Sequence, residues 1–214
     1  EDPHVPPADE ISELVKKVDY SKVKIDGNFV TLEPPVDAID LGAIAKGFIA
    51  DKLKEFLVEN GVTSATISLG GNLYAIGEND LENRPFNIGI QNPKSSDGSI
   101  IGYVEITDKS LVTSGDYQRF FMENEKRYHH ILDPKTGYPV DNNVSSVTII
   151  SDKSIDGDAL STTCFVLGID KGLELINGIS GIDAVFIDKN NNLYFSDGFE
   201  NELTFTEYNE TLVS

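Results

Sequence analysis

Apolar residues along this chain fall into short runs with two different periods. Ile11, Leu14, Val15 and Val18 recur at i, i+3, i+4 and i+7, and Pro6-Pro7-Ala8-Asp9-Glu10 before them puts proline and acids where a helix begins. Lys22 to Leu32 alternates around Asp26-Gly27-Asn28, the signature of a hairpin whose turn needs positive φ. Ala38–Leu41 reads as a short strand broken by Gly42-Ala43. A helix is then predicted over Ile44–Asn60, with an apolar stripe of Ile44, Phe48, Leu53, Phe56 and Leu57 and with Gly61 at its C′ position.

Strands follow at Ser64–Leu69, Leu73–Ile76, Phe86–Gln91, Ile100–Thr107, Leu111–Thr113, Tyr117–Met122 and Arg127–Leu132. The β-branched run Val144–Ser151 predicts another. Buried helices are expected over Asp158–Leu167 and Lys171–Asn177, and a last hairpin joins Ala184–Ile187 to Leu193–Phe195 through Asn190-Asn191-Asn192. Many strands and few helices, without regular βαβ alternation, predict an α+β fold with a largely antiparallel sheet packed by a few helices.

The 214 residues suit a single domain, expected over residues 8–214 after a loose, proline-rich Glu1–Pro7. Thirty-six acidic against 17 basic residues leave a net charge of -19, which repels phosphate backbones and speaks against nucleic acid as a partner. A single phosphate ester bridged by a cation is still compatible with that charge. No apolar run approaches the ~20 residues of a membrane helix. The lone cysteine, Cys164, precludes an internal disulfide. The chain opens Glu1-Asp2-Pro3-His4 and its one methionine is Met122, so a portion upstream is expected.

Four segments concentrate small and polar residues between these elements. Asp40-Leu41-Gly42-Ala43-Ile44-Ala45-Lys46-Gly47 turns into a helix N-terminus whose free N–H groups favour anions, with Lys46 adding positive charge. An ordinary strand-to-helix turn with a solvated lysine fits the same residues. In Ser68-Leu69-Gly70-Gly71-Asn72 the glycine pair lets backbone approach a ligand closely, or simply makes a turn. Thr113-Ser114-Gly115-Asp116-Tyr117 reads as a polar strand break, either a local hydroxyl or Asx turn or part of a site. Asp158, Ser161 and Thr162 stand at i, i+3 and i+4, so their oxygens share one helix face. That all-oxygen set suits Mg²⁺ or Ca²⁺; helix capping by Asp158 explains it equally well. His129 and His130 are neighbours on an expected strand and point to opposite sides, so they cannot chelate one ion together.

Taken in order, DLGAIAKGFIAD (Asp40–Asp51), SLGGN (Ser68–Asn72), VTSGDYQRFF (Val112–Phe121), HHILDPKTGYP (His129–Pro139) and DALSTT (Asp158–Thr163) resemble the ApbE-type flavin transferases, the FAD:protein FMN transferases formerly described as thiamine-biosynthesis lipoproteins. The resemblance runs from about Pro7 to the C-terminal strands and implies the ApbE-like fold without its N-terminal portion. It implies Mg²⁺-dependent transfer of the FMN half of FAD to a Thr or Ser hydroxyl of an acceptor protein, with release of AMP. Alternatives at the same site are an FAD pyrophosphatase and a non-catalytic flavin-binding protein.

By position, Asp158 and Thr162 match metal ligands, with Ser161 a further candidate and the Ala43 carbonyl another. Asp40, Lys46 and Leu132 match flavin-nucleotide contacts, Gly70, Gly71, Ser114 and Gly115 belong to the cofactor-binding motifs, and His130 matches the family's histidine near the site, which makes His130 and Asp158 the candidate catalytic residues. The family usually carries a further N-terminal portion with a methionine-glycine-threonine-like segment and a glycine-rich segment, so association with such a segment or homodimerisation is expected. The family also implies a bacterial, extracytoplasmic, lipid-anchored location.

Overall fold

Most apolar runs resolve into one element each. In chain order these are α1 (Ala8–Val15), β1 (Val23–Asp26), β2 (Phe29–Leu32), α2 (Ala45–Glu59), β3 (Ala65–Ser68), β4 (Asn72–Ile76), β5 (Phe86–Gln91), β6 (Ile100–Ile106), β7 (Ser110–Gly115), β8 (Phe120–Glu123), β9 (Lys126–His129) and β10 (Val144–Ser151). Then come α3 (Ser154–Leu167), α4 (Ile169–Asn177), β11 (Asp183–Asp188), β12 (Leu193–Phe195), α5 (Asp197–Glu202) and β13 (Phe205–Glu207). The structure, a computed structural model, describes residues 3–95, 97–202 and 204–207. Glu1 and Asp2 of the expected loose segment and residues 208–214 of the expected domain lie outside the described residues.

The chain divides into two compact units. The smaller takes the segment up to Leu41 together with Gln118–Asp141, and the larger takes Gly42–Tyr117 and the chain from Asn142 onward. The smaller unit holds α1 and two antiparallel hairpins, β1–β2 and β8–β9. The turn after β9 closes on α1: a Cβ at Gly137 would lie 2.6 Å from the Ile11 side chain, and φ there is +74°. Only glycine meets both demands without strain.

The larger unit is layered. Its six-stranded sheet runs β12-β11-β10-β7-β4-β3, every described pairing is antiparallel, and β10 lies near the middle, buried along its whole length. A sheet buried on both faces reads as a continuous β-branched run, which is why Val144–Ser151 is so legible. One face carries α2, α3 and α4. There Ala50 of α2 packs with Ile67, Tyr74 and Ile76. The other face builds a second core from Ala75, Leu111, Ile150, Val185 and Ile187 against Ile90, Val104 and Ile106 of the three-stranded sheet β13-β6-β5.

Four expectations need correction. Ala38–Leu41 takes no part in a strand. The polar stretch at Ser114-Gly115 does not break β7, which continues through both residues in register with Val147 and Ser146 of β10. β8 and β9 are each four residues long and overlap the longer spans predicted, β8 running on to Glu123 and β9 starting at Lys126 and ending at His129. The α2 stripe is also misplaced: Phe48 and Phe56 are 51% and 61% exposed, whereas the buried residues are Gly47 and Ala50. The helix packs through its small residues, because a Cβ at Gly47 would fall 2.4 Å from the Ser154 carbonyl oxygen. Backbone-close helix packing of that kind overrides the larger apolar residues beside it.

Candidate functional site

In the larger unit, four sequence segments meet. Their junction begins with α3, which starts one turn earlier than expected, so Asp158 is not its cap. Asp158 is buried, and its Oδ2 accepts the backbone N–H of Gly47 at 2.9 Å. Gly47 is in the first turn of α2, where N–H groups have no intrahelical partner. In return, Asp51 of α2 accepts the N–H groups of Ser154 and Ile155, at 2.7 and 3.0 Å, with its two carboxylate oxygens. The two helices thus cap each other. Neither has a side-chain cap of its own, from Ile44 or from Lys153.

This exchange affects the candidate metal ligands. Ala43 precedes the N-cap Ile44, and the helical ladder begins with Phe48 N–H to the Ile44 carbonyl, so the Ala43 carbonyl stands outside it. Ser161 Oγ donates to the Asp158 carbonyl at 3.1 Å and pairs with Ser114 Oγ at 2.9 Å; Ser114 Oγ also lies 3.2 Å from Thr162 Oγ1. Each hydroxyl has one hydrogen, so the direction is fixed: Thr162 donates to Ser114, Ser114 to Ser161, and Ser161 to the Asp158 carbonyl. The lone pairs of the partly buried Thr162 oxygen are then available to a cation.

Among the described residues no three His, Cys, Asp or Glu side chains cluster to hold a metal. A cation here would be held by one carboxylate, hydroxyls and carbonyls, the hard oxygen set of Mg²⁺ or Ca²⁺. The donor set present fits such an ion.

Lys46, in the first turn of α2, donates from Nζ to the Gly70 carbonyl at 2.9 Å. Gly70 and Gly71 have φ of +55° and +95°, and a Cβ at Gly70 would meet nothing within 4 Å. The Gly71 carbonyl accepts Thr113 N–H at 2.9 Å, which seats the loop beside β7. Lys46, Gly70, Gly71, Ser114, Gly115, Asp158, Ser161 and Thr162 therefore sit on neighbouring segments of one unit. A Cβ at Gly115 would fall 2.5 Å from the Tyr117 ring, so its role in packing is plain. Cys164, farther along α3, is buried, and burial pushes its thiol up to about 12, which removes it as a nucleophile.

Asp40, His130 and Leu132 lie in the smaller unit. His130 is exposed, with Nδ1 3.2 Å from the Arg119 carbonyl, while His129 is buried, so the two do face apart. His129 accepts Ile131 N–H at Nδ1 and donates from Nε2 to the Val140 carbonyl, at 3.3 and 3.1 Å. Leu132 lines an apolar cavity of about 310 Å³ with Ile11, Val15, Phe121 and Tyr128.

Two residues of the larger unit stand out only in the folded structure. Asp51 ends the first motif four residues after Gly47, yet its partners are more than 100 positions away. Asn72 ends the SLGGN motif, whose glycines drew the attention.

The ApbE family model matches residues 1–186. A Klebsiella pneumoniae protein named FAD:protein FMN transferase is 44% identical over 167 residues, covering 78% of this chain and 51% of the relative. Its Treponema pallidum namesake is 39% identical over 197 residues, covering 86% of this chain and 54% of its own. The chain thus spans about half the length of the curated relatives it matches. The crystal structure of the Thermotoga maritima ApbE protein superposes with a TM-score of 0.83 at 34% identity, covering 92% of this chain and 64% of that one. The Vibrio cholerae flavin transferase ApbE gives a TM-score of 0.81 at 28% identity over 94% of this chain and 64% of its own. With the family model spanning most of the chain and the same fold found in those structures, this protein belongs to the ApbE family.

Proposed function

We propose that this protein transfers the FMN moiety of FAD to a Thr or Ser hydroxyl of an acceptor protein, with Mg²⁺, and releases AMP. The observation that carries the reading is the mutual capping of α2 and α3 through Asp158 and Gly47. It brings a carboxylate, a helix N-terminus and a hydroxyl chain together beside Lys46. The names of the relatives, FAD:protein FMN transferase, support the substrate class.

In the transfer, the acceptor oxygen bonds to the FMN phosphorus and the phosphorus–oxygen bond to AMP breaks. The hydroxyl proton passes to a base, and AMP leaves with the electron pair. Asp158, Thr162, Ser161 and the Ala43 carbonyl would hold Mg²⁺, which supplies charge compensation for the diphosphate and the departing AMP. The chain's own part is positioning. Lys46 and the first turn of α2 attract the diphosphate, a task an acidic surface otherwise opposes. The hydroxyl chain fixes the rotamers of Ser161 and Thr162 before any ligand arrives.

The test is AMP release from FAD with Mg²⁺ or EDTA, with and without a Thr-containing acceptor peptide. The expected result is Mg²⁺-dependent AMP in equal amount to flavin fixed on the peptide. AMP with free FMN whether or not the peptide is present would replace transfer by FAD hydrolysis. Bound FAD without AMP would leave a flavin-binding protein.

A further inference from the structure

Asn72 is 1% exposed, and neither end of its amide has a hydrogen-bond partner within the protein. Among the described residues it is the one side chain with two separate polar atoms buried and bare; the others are single oxygens of Ser110, Ser146, Ser154 and Asn191. A buried amide left unpaired costs stability that an apolar residue of the same shape would not. Such a group in a folded core calls for an explanation.

Its position supplies one. Along β4, Asn72 shares a face with Tyr74 and Ile76, the face that packs on Ala50 of α2. Asn72 is paired with Val112 of β7, two residues before Ser114 on the same face. Four hydrogen bonds pin the surrounding segments: Lys46 to the Gly70 carbonyl, Gly47 to Asp158, and Ser114 to Ser161 and to Thr162. Gly70 and Gly71, both at positive φ, immediately precede Asn72 in the chain, and Lys46 Nζ rests on the Gly70 carbonyl.

We propose that Asn72 is a ligand-contacting residue of this site, whose Nδ2 donates to a phosphate oxygen of the dinucleotide once Lys46 leaves the Gly70 carbonyl for that phosphate. The inference rests on the FAD-binding reading above. A neutral donor suits the place: it adds a hydrogen bond without a second charge to bury, while Lys46 and the cation carry the neutralisation.

The experiment compares the wild type with Asn72→Leu, Asn72→Asp and, as a control on the opposite sheet face, Ser146→Ala. Each is melted without ligand and titrated with FAD in Mg²⁺ and with riboflavin, which lacks phosphate. For Asn72→Leu we expect an unchanged or higher melting temperature, FAD affinity lower by about 10- to 100-fold, and riboflavin affinity unchanged. Asn72→Asp, nearly the same shape, loses FAD affinity as well, which keeps the test sound if the leucine variant does not fold. Ser146→Ala leaves FAD affinity unchanged. FAD affinity within twofold of wild type in both Asn72 variants would overturn the inference, as would an equal loss for riboflavin. A wild type that binds no FAD would instead overturn the functional reading, and this inference with it.

Discussion

The Asp158 carboxylate accepts the backbone N–H of Gly47 at 2.9 Å, across 111 positions of sequence. One side chain thereby caps a helix that it does not belong to, while the backbone carbonyl of the same residue accepts the Ser161 hydroxyl. The side chain's hydrogen bond and its charge separate by mutation. Asp158→Asn keeps an oxygen for Gly47 N–H and removes the charge. Its melting temperature should stay close to wild type, while Mg²⁺-dependent AMP release falls by more than the roughly 10–100-fold typical of losing an outer-shell partner. Asp158→Ala removes both and should cost about 1–3 kcal/mol besides, since the N–H stays buried. An Asp158→Asn variant with full activity would remove Asp158 from the chemistry.

Asp51 makes the reciprocal contacts and offers a purely structural contrast. With two α3 N–H groups on its carboxylate, Asp51→Ala should destabilise the protein by about 1–2 kcal/mol. For a chain of this size that lowers the melting point by roughly 2–4 °C per kcal/mol. Thermal denaturation followed by circular dichroism reads this directly; an unchanged melting point would mean that α3 is capped by other means.

Acid should act partly through Asp188. Burial pushes its carboxyl up, but hydrogen bonds from the Asn192 side chain, the Asn192 and Asn190 backbone and the Tyr194 hydroxyl outweigh that and hold it below the ordinary value. The folded state therefore favours the carboxylate. Its contribution is complete above the unfolded-state value near 3.8 and is lost as pH falls through the lower folded value. Urea midpoints measured from pH 6 down to pH 3 should fall less steeply for Asp188→Asn than for wild type, from a lower starting stability. Parallel curves would show that other carboxyls dominate.

Cys164 should be silent in the folded protein. Its thiol is fully buried and raised to about 12 by desolvation, so almost no thiolate exists at neutral pH. A disulfide reagent such as DTNB should react with it in denaturant and not in buffer. Rapid labelling of the native protein would contradict the packing of α3 against α4.

His130 is exposed, with Nδ1–H directed at the Arg119 carbonyl, which leaves Nε2 to receive a proton. If it is the base, His130→Ala should lower FMN transfer by about 10²–10⁴-fold while FAD affinity holds. Equal rates would assign the proton elsewhere.

The local pattern carried much of the fold. Hairpins around Asp26-Gly27-Asn28 and Asn190-Asn191-Asn192, the β-branched run of β10 and the C-terminal glycine of α2 are each fixed by residues within a few positions of one another. Segments rich in glycine, serine and aspartate were visible too, because turns and helix starts collect those residues, although the first of them begins in the smaller unit at Asp40-Leu41. What the sequence could not disclose is who pairs with whom. Asp158 resembles a cap of its own helix, and only the folded chain shows it capping α2 instead. The buried face of α2 follows from backbone contact at Gly47 rather than from its phenylalanines. The bare amide of Asn72 exists only once β4, β7 and the helix layer close around it. Hydrogen bonds and close packing between distant segments depend on three-dimensional distance, and periodicity along a chain holds no information about it.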